Sequence, residues 1–250
     1  MPETSILLAV AATCLLAGIV KGVIGLGMPT VILALLTAPL GLTQAMALML
    51  LPTAVTNFWQ ALSGGHGVAI VRRIWPFLLL ATMTIWIGAL ALTRLDLAFL
   101  SGLLGALIAL YAIVNLFGLR MSVAPRHEWW LGPLCGAVNG VLTGMTGAYA
   151  VPGVMYLQAM GMPRDMFVQA MGMLFGLSTL ALAVALGGGG FLDAEIGLLA
   201  IVALVPALAG MAIGQKIRGL LSERAFRRAF FVALLLLGLY IVGHAVVARG

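Results

Sequence analysis

Charge is what this 250-residue sequence has least of. Asp, Glu, Lys and Arg make up 8% of it, where a soluble domain carries about a quarter. So few ions cannot cover a compact surface in water, and a soluble fold is excluded. Carboxylates are scarcer still, at seven. No HExxH, carboxylate pair or nucleophile–base constellation occurs, so the chain is not expected to be an enzyme. The two cysteines, Cys14 and Cys135, stand alone in apolar stretches without metal-ligand spacing. No metal and no other cofactor is expected. The start, Met1-Pro2-Glu3-Thr4-Ser5, lacks the basic region of a signal peptide and is expected to be retained.

What the sequence has instead is apolar residues, 63% of the chain, with a mean hydropathy of +1.19. Its solvent is therefore mainly lipid. The 32 glycines and 10 prolines fit membrane helices, where Gly permits close backbone contact and neighbours re-satisfy carbonyls freed by Pro. A net charge of +6 does not point to nucleic acid, because the basic residues sit in short gaps between apolar runs and form no stripe.

Six apolar runs have the length of one span, about 20 residues: 43–62, 74–93, 98–117, 167–187, 195–214 and 229–247. Trp75, Trp86, Trp129 and Trp130 lie near predicted ends and read as interface anchors. The run Gly187-Gly188-Gly189-Gly190 reads as an outer loop. Regions 5–40 and 129–158 are apolar but interrupted, the first by Lys21-Gly22-Val23-Ile24-Gly25-Leu26-Gly27-Met28-Pro29, the second by Asn139-Gly140-Val141-Leu142-Thr143-Gly144-Met145-Thr146-Gly147. Gly18-Ile19-Val20-Lys21-Gly22-Val23-Ile24 aligns with Gly136-Ala137-Val138-Asn139-Gly140-Val141-Leu142. A proline follows each, Pro29 and Pro152, and three ordinary spans complete each half. The chain thus reads as two membrane repeats, 1–120 and 121–250, a pattern common in transporters.

Flanking charge tests how the interrupted regions cross. If each returns to its side of entry, Arg72, Arg73, Arg120, Arg126, Arg164, Lys216, Arg218, Arg224, Arg227 and Arg228 share one side, and Arg94 and Arg249 take the other. The side poor in Arg and Lys also holds Glu3, Asp96, Asp193 and Glu195. A single crossing of each region leaves no such bias. The expectation is an all-α integral membrane fold of two inverted repeats, each a Gly-broken, re-entrant hairpin or short helix pair plus three transmembrane helices. Both termini are expected to be periplasmic.

Lys21 is the ionisable residue deepest in an apolar region. A cation there costs about 2.5–3.5 kcal/mol or more on insertion scales, and persists where it meets water, a partner or a substrate. The two readings are an anion-binding centre and a snorkelling lysine. Gly22, Gly25 and Gly27 admit close backbone approach. Pro29 suits the first turn of a half-helix over 28–38, whose N–H groups would face an anion. Thr143, Gly144, Thr146 and Gly147 are the counterparts in the second hairpin. Small-residue helix packing is the plainer reading of the same glycines. Thr53, Thr56, Asn57 and Gln60 share a helical face, and Asn57 and Gln60 are the candidates to face a cavity. Asn139 stands where the first repeat has Lys21, so the site is expected to be asymmetric. Tyr149 is a candidate to bond or stack on a ligand.

On these two matched Gly-rich segments the chain resembles the sulfite exporter TauE/SafE family, also called the toluene sulfonate uptake permease family. The resemblance spans essentially the whole chain. Where the family often carries Gly-Gly-Gly, this sequence has Gly25-Leu26-Gly27 and Gly147-Ala148-Tyr149. The resemblance implies transport of a small sulfur-containing anion, such as sulfite or an organosulfonate, across a bacterial inner membrane. The expected partners are that anion, the bilayer, a coupling ion and a second copy in a homo-oligomer. Carriers of another organic anion or a neutral solute, and a channel-like pore, are the alternatives.

Overall fold

The computed structural model describes residues 4–119, 121–192, 194–220 and 222–247. Among them every regular element is helical: α1 (Thr4–Ile24), α2 (Met28–Leu40), α3 (Leu42–Leu62), α4 (Gly67–Met83), α5 (Ile85–Ala89), α6 (Ala91–Arg94), α7 (Leu97–Leu116), α8 (Glu128–Thr146), α9 (Gly153–Ala159), α10 (Arg164–Gly188), α11 (Ala194–Ile217) and α12 (Glu223–Val247). A 3-10 turn, Pro125–His127, leads into α8. Helices are what lipid demands, since each backbone N–H and C=O must be satisfied within the segment.

All six expected spans form, with α4 to α6 making one apolar run, Gly67–Arg94. A seventh helix long and apolar enough to cross is Ser5–Ile24, in α1. At 13 residues, α2 is about 20 Å long, shorter than the hydrocarbon core. The spans differ in how much protein surrounds them: α10 is 61% buried over its apolar window, α11 only 22%. One face of α11 leaves Leu198, Ile201 and Val205 exposed.

The interruptions lie later than the sequence places them. Helix α1 continues through Lys21 to Ile24 and breaks at 25–27, and α8 continues through Asn139 to Thr146 and breaks at 147–152. By the alignment of the two segments, α8 runs about one turn further than α1. The oligoglycine run is also partly helical, because α10 extends through Gly188 and the Gly189 N–H still reaches the Ala185 carbonyl at 3.0 Å. The flanking residues Glu3, Arg120, Asp193 and Arg249 lie outside the described residues.

The chain divides into two compact units, each drawing on both halves of the sequence. Unit 1 comprises Met1–Pro52, Asp96–Gly118 and Gly190–Gly250. In it α1 packs along α11, and α7 along α12. Contact is close because both faces are glycine. A Cβ on Gly18 would strike the Ala207 carbonyl, one on Gly22 the Met211 carbonyl, and those on Gly210 and Gly214 the Leu15 and Ile19 carbonyls. This is a small-xxx-small contact on both partners. On α7 and α12 the backbones meet at Gly105 and Gly238, and Tyr111 sets its ring edge-on to Phe231 at 5.5 Å.

Unit 2 comprises Thr53–Leu95 and Leu119–Gly189. Its α8 carries Gly132, Gly136, Gly140 and Gly144, one per turn. The last three face the backbones at Phe77, Ala81 and Ile85 of α4 and α5. The Thr84 hydroxyl lies 2.8 Å from the Leu80 carbonyl oxygen and 2.9 Å from that of Ala137, so it ties the α4–α5 junction to α8. Thr84→Val keeps the shape and loses the donor. It is expected to destabilise the protein by about 1 kcal/mol, with Thr84→Ser close to wild type, as read by thermal unfolding in detergent. An unchanged midpoint in Thr84→Val would remove that bond from the account of the junction.

Candidate functional site

In unit 1 the site residues collect at the end of α1. Val10, Cys14, Ala17 and Lys21 form one buried stripe at helical spacing, and Lys21 is 5% exposed. Among the described residues it is the one charged side chain that is buried. The snorkelling reading does not fit a side chain so enclosed. One turn later the helix ends, and the Gly25 N–H closes on the Lys21 carbonyl at 2.7 Å. Gly25 and Gly27 have φ of 86° and 100°, the left-handed region that glycine enters freely. The expected half-helix follows as α2, with Gly27 as its N-cap and a proline in its first turn. Gly27 lies under Phe230, whose ring edge would be 3.1 Å from an added Cβ, whereas nothing stands within 4 Å of one on Gly25. Gly22 is taken up by the α1–α11 contact.

In unit 2 a buried polar cluster gathers where α8 ends, around the break and on α10. Asn139, Thr143, Thr146, Tyr149, Ser178 and Thr179 are all essentially inaccessible. Asn139 accepts the Gly153 N–H on Oδ1 at 2.9 Å, while its Nδ2 has no partner among the described residues. Ser178 Oγ is likewise unpartnered. Thr143 donates to the Ala148 carbonyl at 3.1 Å, Thr146 to the Leu142 carbonyl at 2.7 Å, and the Ala148 N–H returns to the Thr146 hydroxyl at 3.2 Å. Gly147 caps α8 in the left-handed region at φ 74°. The Tyr149 hydroxyl lies 3.3 Å from Thr179 Oγ1, and its ring lies against Phe175 at 5.6 Å. Gly144 packs on Ile85, Gly88 and Ala89 and lines no open space.

Asn57 is fully buried on α3. Gln60 is half-buried, and its Nε2 donates to the Val168 carbonyl at 2.7 Å. Gln169 reciprocates, donating to the Ala61 carbonyl at 2.8 Å and accepting the His66 N–H at 2.9 Å. These bonds link residues more than a hundred positions apart, so no local pattern announces them. Two buried groups escape sequence reasoning altogether. The hydroxyls of Thr37 and Tyr111 have no partner among the described residues.

The chemistry available is thus one buried cation beside a Gly-hinged break, and a set of neutral donors beside the other. A buried donor left unmade costs about 1–3 kcal/mol, and Asn139 Nδ2 and Ser178 Oγ are two such groups among the described residues. Among the described residues no group of His, Cys, Asp and Glu could hold a metal ion. No curated protein and no solved structure matches the chain. One family does, under the description Sulfite exporter TauE/SafE, over residues 10–241. That match takes in both Gly-hinged breaks and all or most of each long apolar helix, and the chain belongs to the sulfite exporter TauE/SafE family of membrane transporters.

Proposed function

We propose that this protein is a secondary transporter that moves a small sulfur-containing anion, an organosulfonate or sulfite, across the bacterial inner membrane. The observation that carries this reading is the family match over residues 10–241. Lys21 supports the sign of the cargo, since a buried cation in an apolar helix complements an anion. In this reading Lys21 supplies charge. Backbone groups at Gly25, Gly27 and Gly147 and the Asn139 amide donate to the anion's oxygens, and Thr143 and Thr146 exchange their present carbonyl bonds for the anion when it enters, with Tyr149 beside them. Asn57 completes the polar set on α3.

The same reading takes the chain as two inverted repeats, 1–120 and 121–250, each opening with a Gly-broken helix pair. Three long apolar helices follow each pair, and Gly18 and Gly22 do for α1 what the aligned Gly136 and Gly140 do for α8. An odd number of crossings per half inverts the second repeat, and one repeat moving against the other gives alternating access. The charge bias puts both termini in the periplasm. An ion gradient is the drive.

The test is binding to purified protein, read as a rise in unfolding temperature, with sulfite, sulfate, several sulfonates and their uncharged amide analogues. A ligand that binds the folded state stabilises it by mass action. A shift with a sulfonate or sulfite, absent with the amide, is the expected result. Because the unit 2 donors are neutral, an uncharged solute is the second reading. A shift with the amide and none with any sulfur anion would establish that one instead.

A further inference from the structure

Unit 2 contains a cleft of about 260 Å³ that the transport reading leaves unused. Arg73 of α4, Glu128 at the start of α8, Tyr156 of α9 and the rings of Trp75 and Trp129 line it, with Pro76 and Pro133 among its apolar walls. Arg73 and Glu128 form a two-pronged ion pair, Nε to Oε2 at 3.0 Å and Nη2 to Oε1 at 2.6 Å. The Met160 carbonyl also holds Nη2, at 3.4 Å, and the Tyr156 hydroxyl donates to the Glu128 carbonyl at 3.4 Å. The pair is therefore fixed from both sides. Arg73 Nη1 has no partner among the described residues and stays available as a donor.

The depth of the cleft follows from its elements. Helix α4 passes from Arg72 and Arg73 into the apolar run after Ile74, and α8 starts at Glu128 directly after Arg126 and His127. Both helices thus change from polar to apolar at the cleft. Trp75 and Trp129 are 56% and 76% exposed there, as tryptophans are at the boundary between headgroups and hydrocarbon. One cation, one anion and exposed aromatic faces meet at headgroup depth.

We propose that this cleft binds the headgroup of a phospholipid that carries a primary ammonium beside its phosphodiester, the phosphatidylethanolamine class. The phosphate takes the free Arg73 donor. The ammonium has three N–H donors, which reach Glu128 while the aromatic faces attract its charge. A purely anionic headgroup gains Arg73 but meets Glu128 as a like charge. A quaternary ammonium suits the rings but has no hydrogen to donate to the carboxylate. The lipid is the source because the rim is apolar and aromatic, which suits a headgroup entering from the bilayer.

The experiment uses the full chain, stripped of lipid in detergent, with adducts counted by native mass spectrometry. The added lipids are phosphatidylethanolamine, phosphatidylcholine and phosphatidylglycerol with identical acyl chains. The first phosphatidylethanolamine molecule is expected to bind at several-fold lower concentration than either of the others. Glu128→Gln should erase its advantage over phosphatidylcholine, and Arg73→Gln should weaken the first adduct of all three. Should the single variants fold poorly, the exchanged pair Arg73→Glu with Glu128→Arg restores the ion pair, and is expected to fold yet lose the preference. The proposal is overturned if phosphatidylglycerol or phosphatidylcholine binds as well, or if the preference survives in Glu128→Gln or in the exchanged pair. Competition by soluble phosphoethanolamine at the same concentration would also overturn it as a lipid site.

Discussion

Gly140→Val in α8 and Gly18→Val in α1 are each expected to remove most folded protein from the membrane. A Cβ on Gly140 would run into the Thr84 hydroxyl and lie 2.6 Å from the Ala81 carbonyl oxygen. One on Gly18 would run into the Ala207 carbonyl and lie 2.8 Å from the Met211 nitrogen. These obstacles are mostly backbone, so no rotamer change relieves them and the helices must part. Overpacking of a tight contact costs about 1–3 kcal/mol, occasionally more, and here parting also breaks a contact that runs the length of two helices. The controls are Gly197→Ala in α11 and Gly243→Ala in α12, where nothing lies within 4 Å of an added Cβ. Alanine there gains helix propensity, about 1 kcal/mol at most. Monodisperse yield and unfolding temperature in detergent measure both. If Gly140→Val or Gly18→Val unfolds at the wild-type temperature, the helix contacts are looser than their backbones imply.

That contrast also shows which parts of the molecule the sequence can reveal. The six long spans are legible because hydropathy is a local property, and their ends shift by a few residues at most sites. The location of the breaks is not legible. Gly22, Gly140 and Gly144 look like hinge residues in a one-dimensional pattern, yet their missing side chains serve helix contact, and the left-handed turns fall at Gly25, Gly27 and Gly147. A glycine spaced four residues from another reads the same in both roles until its neighbour is known. The partners of α1 and α8 lie on α11 and on α4 and α5, far away in sequence, so each compact unit mixes the two halves. Among the site residues Lys21 stands out in sequence because one cation in an apolar run has few explanations. Gln60 and Ser178 are less telling: the first donates to a distant carbonyl and the second is buried with no partner among the described residues. Only packing separates these two cases.

Lys21→Met is expected to keep the fold and lose the anion. Methionine retains the length and most of the apolar stem of lysine, so the buried stripe with Val10, Cys14 and Ala17 stays filled. It also relieves an apolar helix of a cation that costs about 2.5–3.5 kcal/mol or more to place there. A protein carries such a charge when function needs it, and removal at a functional site tends to spare stability. Charge-assisted hydrogen bonds contribute about 1.5–3 kcal/mol, so anion affinity should fall roughly tenfold to a hundredfold. Lys21→Arg keeps the charge but brings a planar, bulkier fork into an enclosed position, and should recover only part of the binding. Unfolding temperature with and without the sulfur anion separates the roles in one experiment. An unliganded midpoint close to wild type, with the ligand-induced rise gone, assigns Lys21 to the substrate. A collapsed midpoint with the ligand-induced rise intact in the surviving protein would make it a structural residue, and would leave the neutral donors of unit 2 to account for binding.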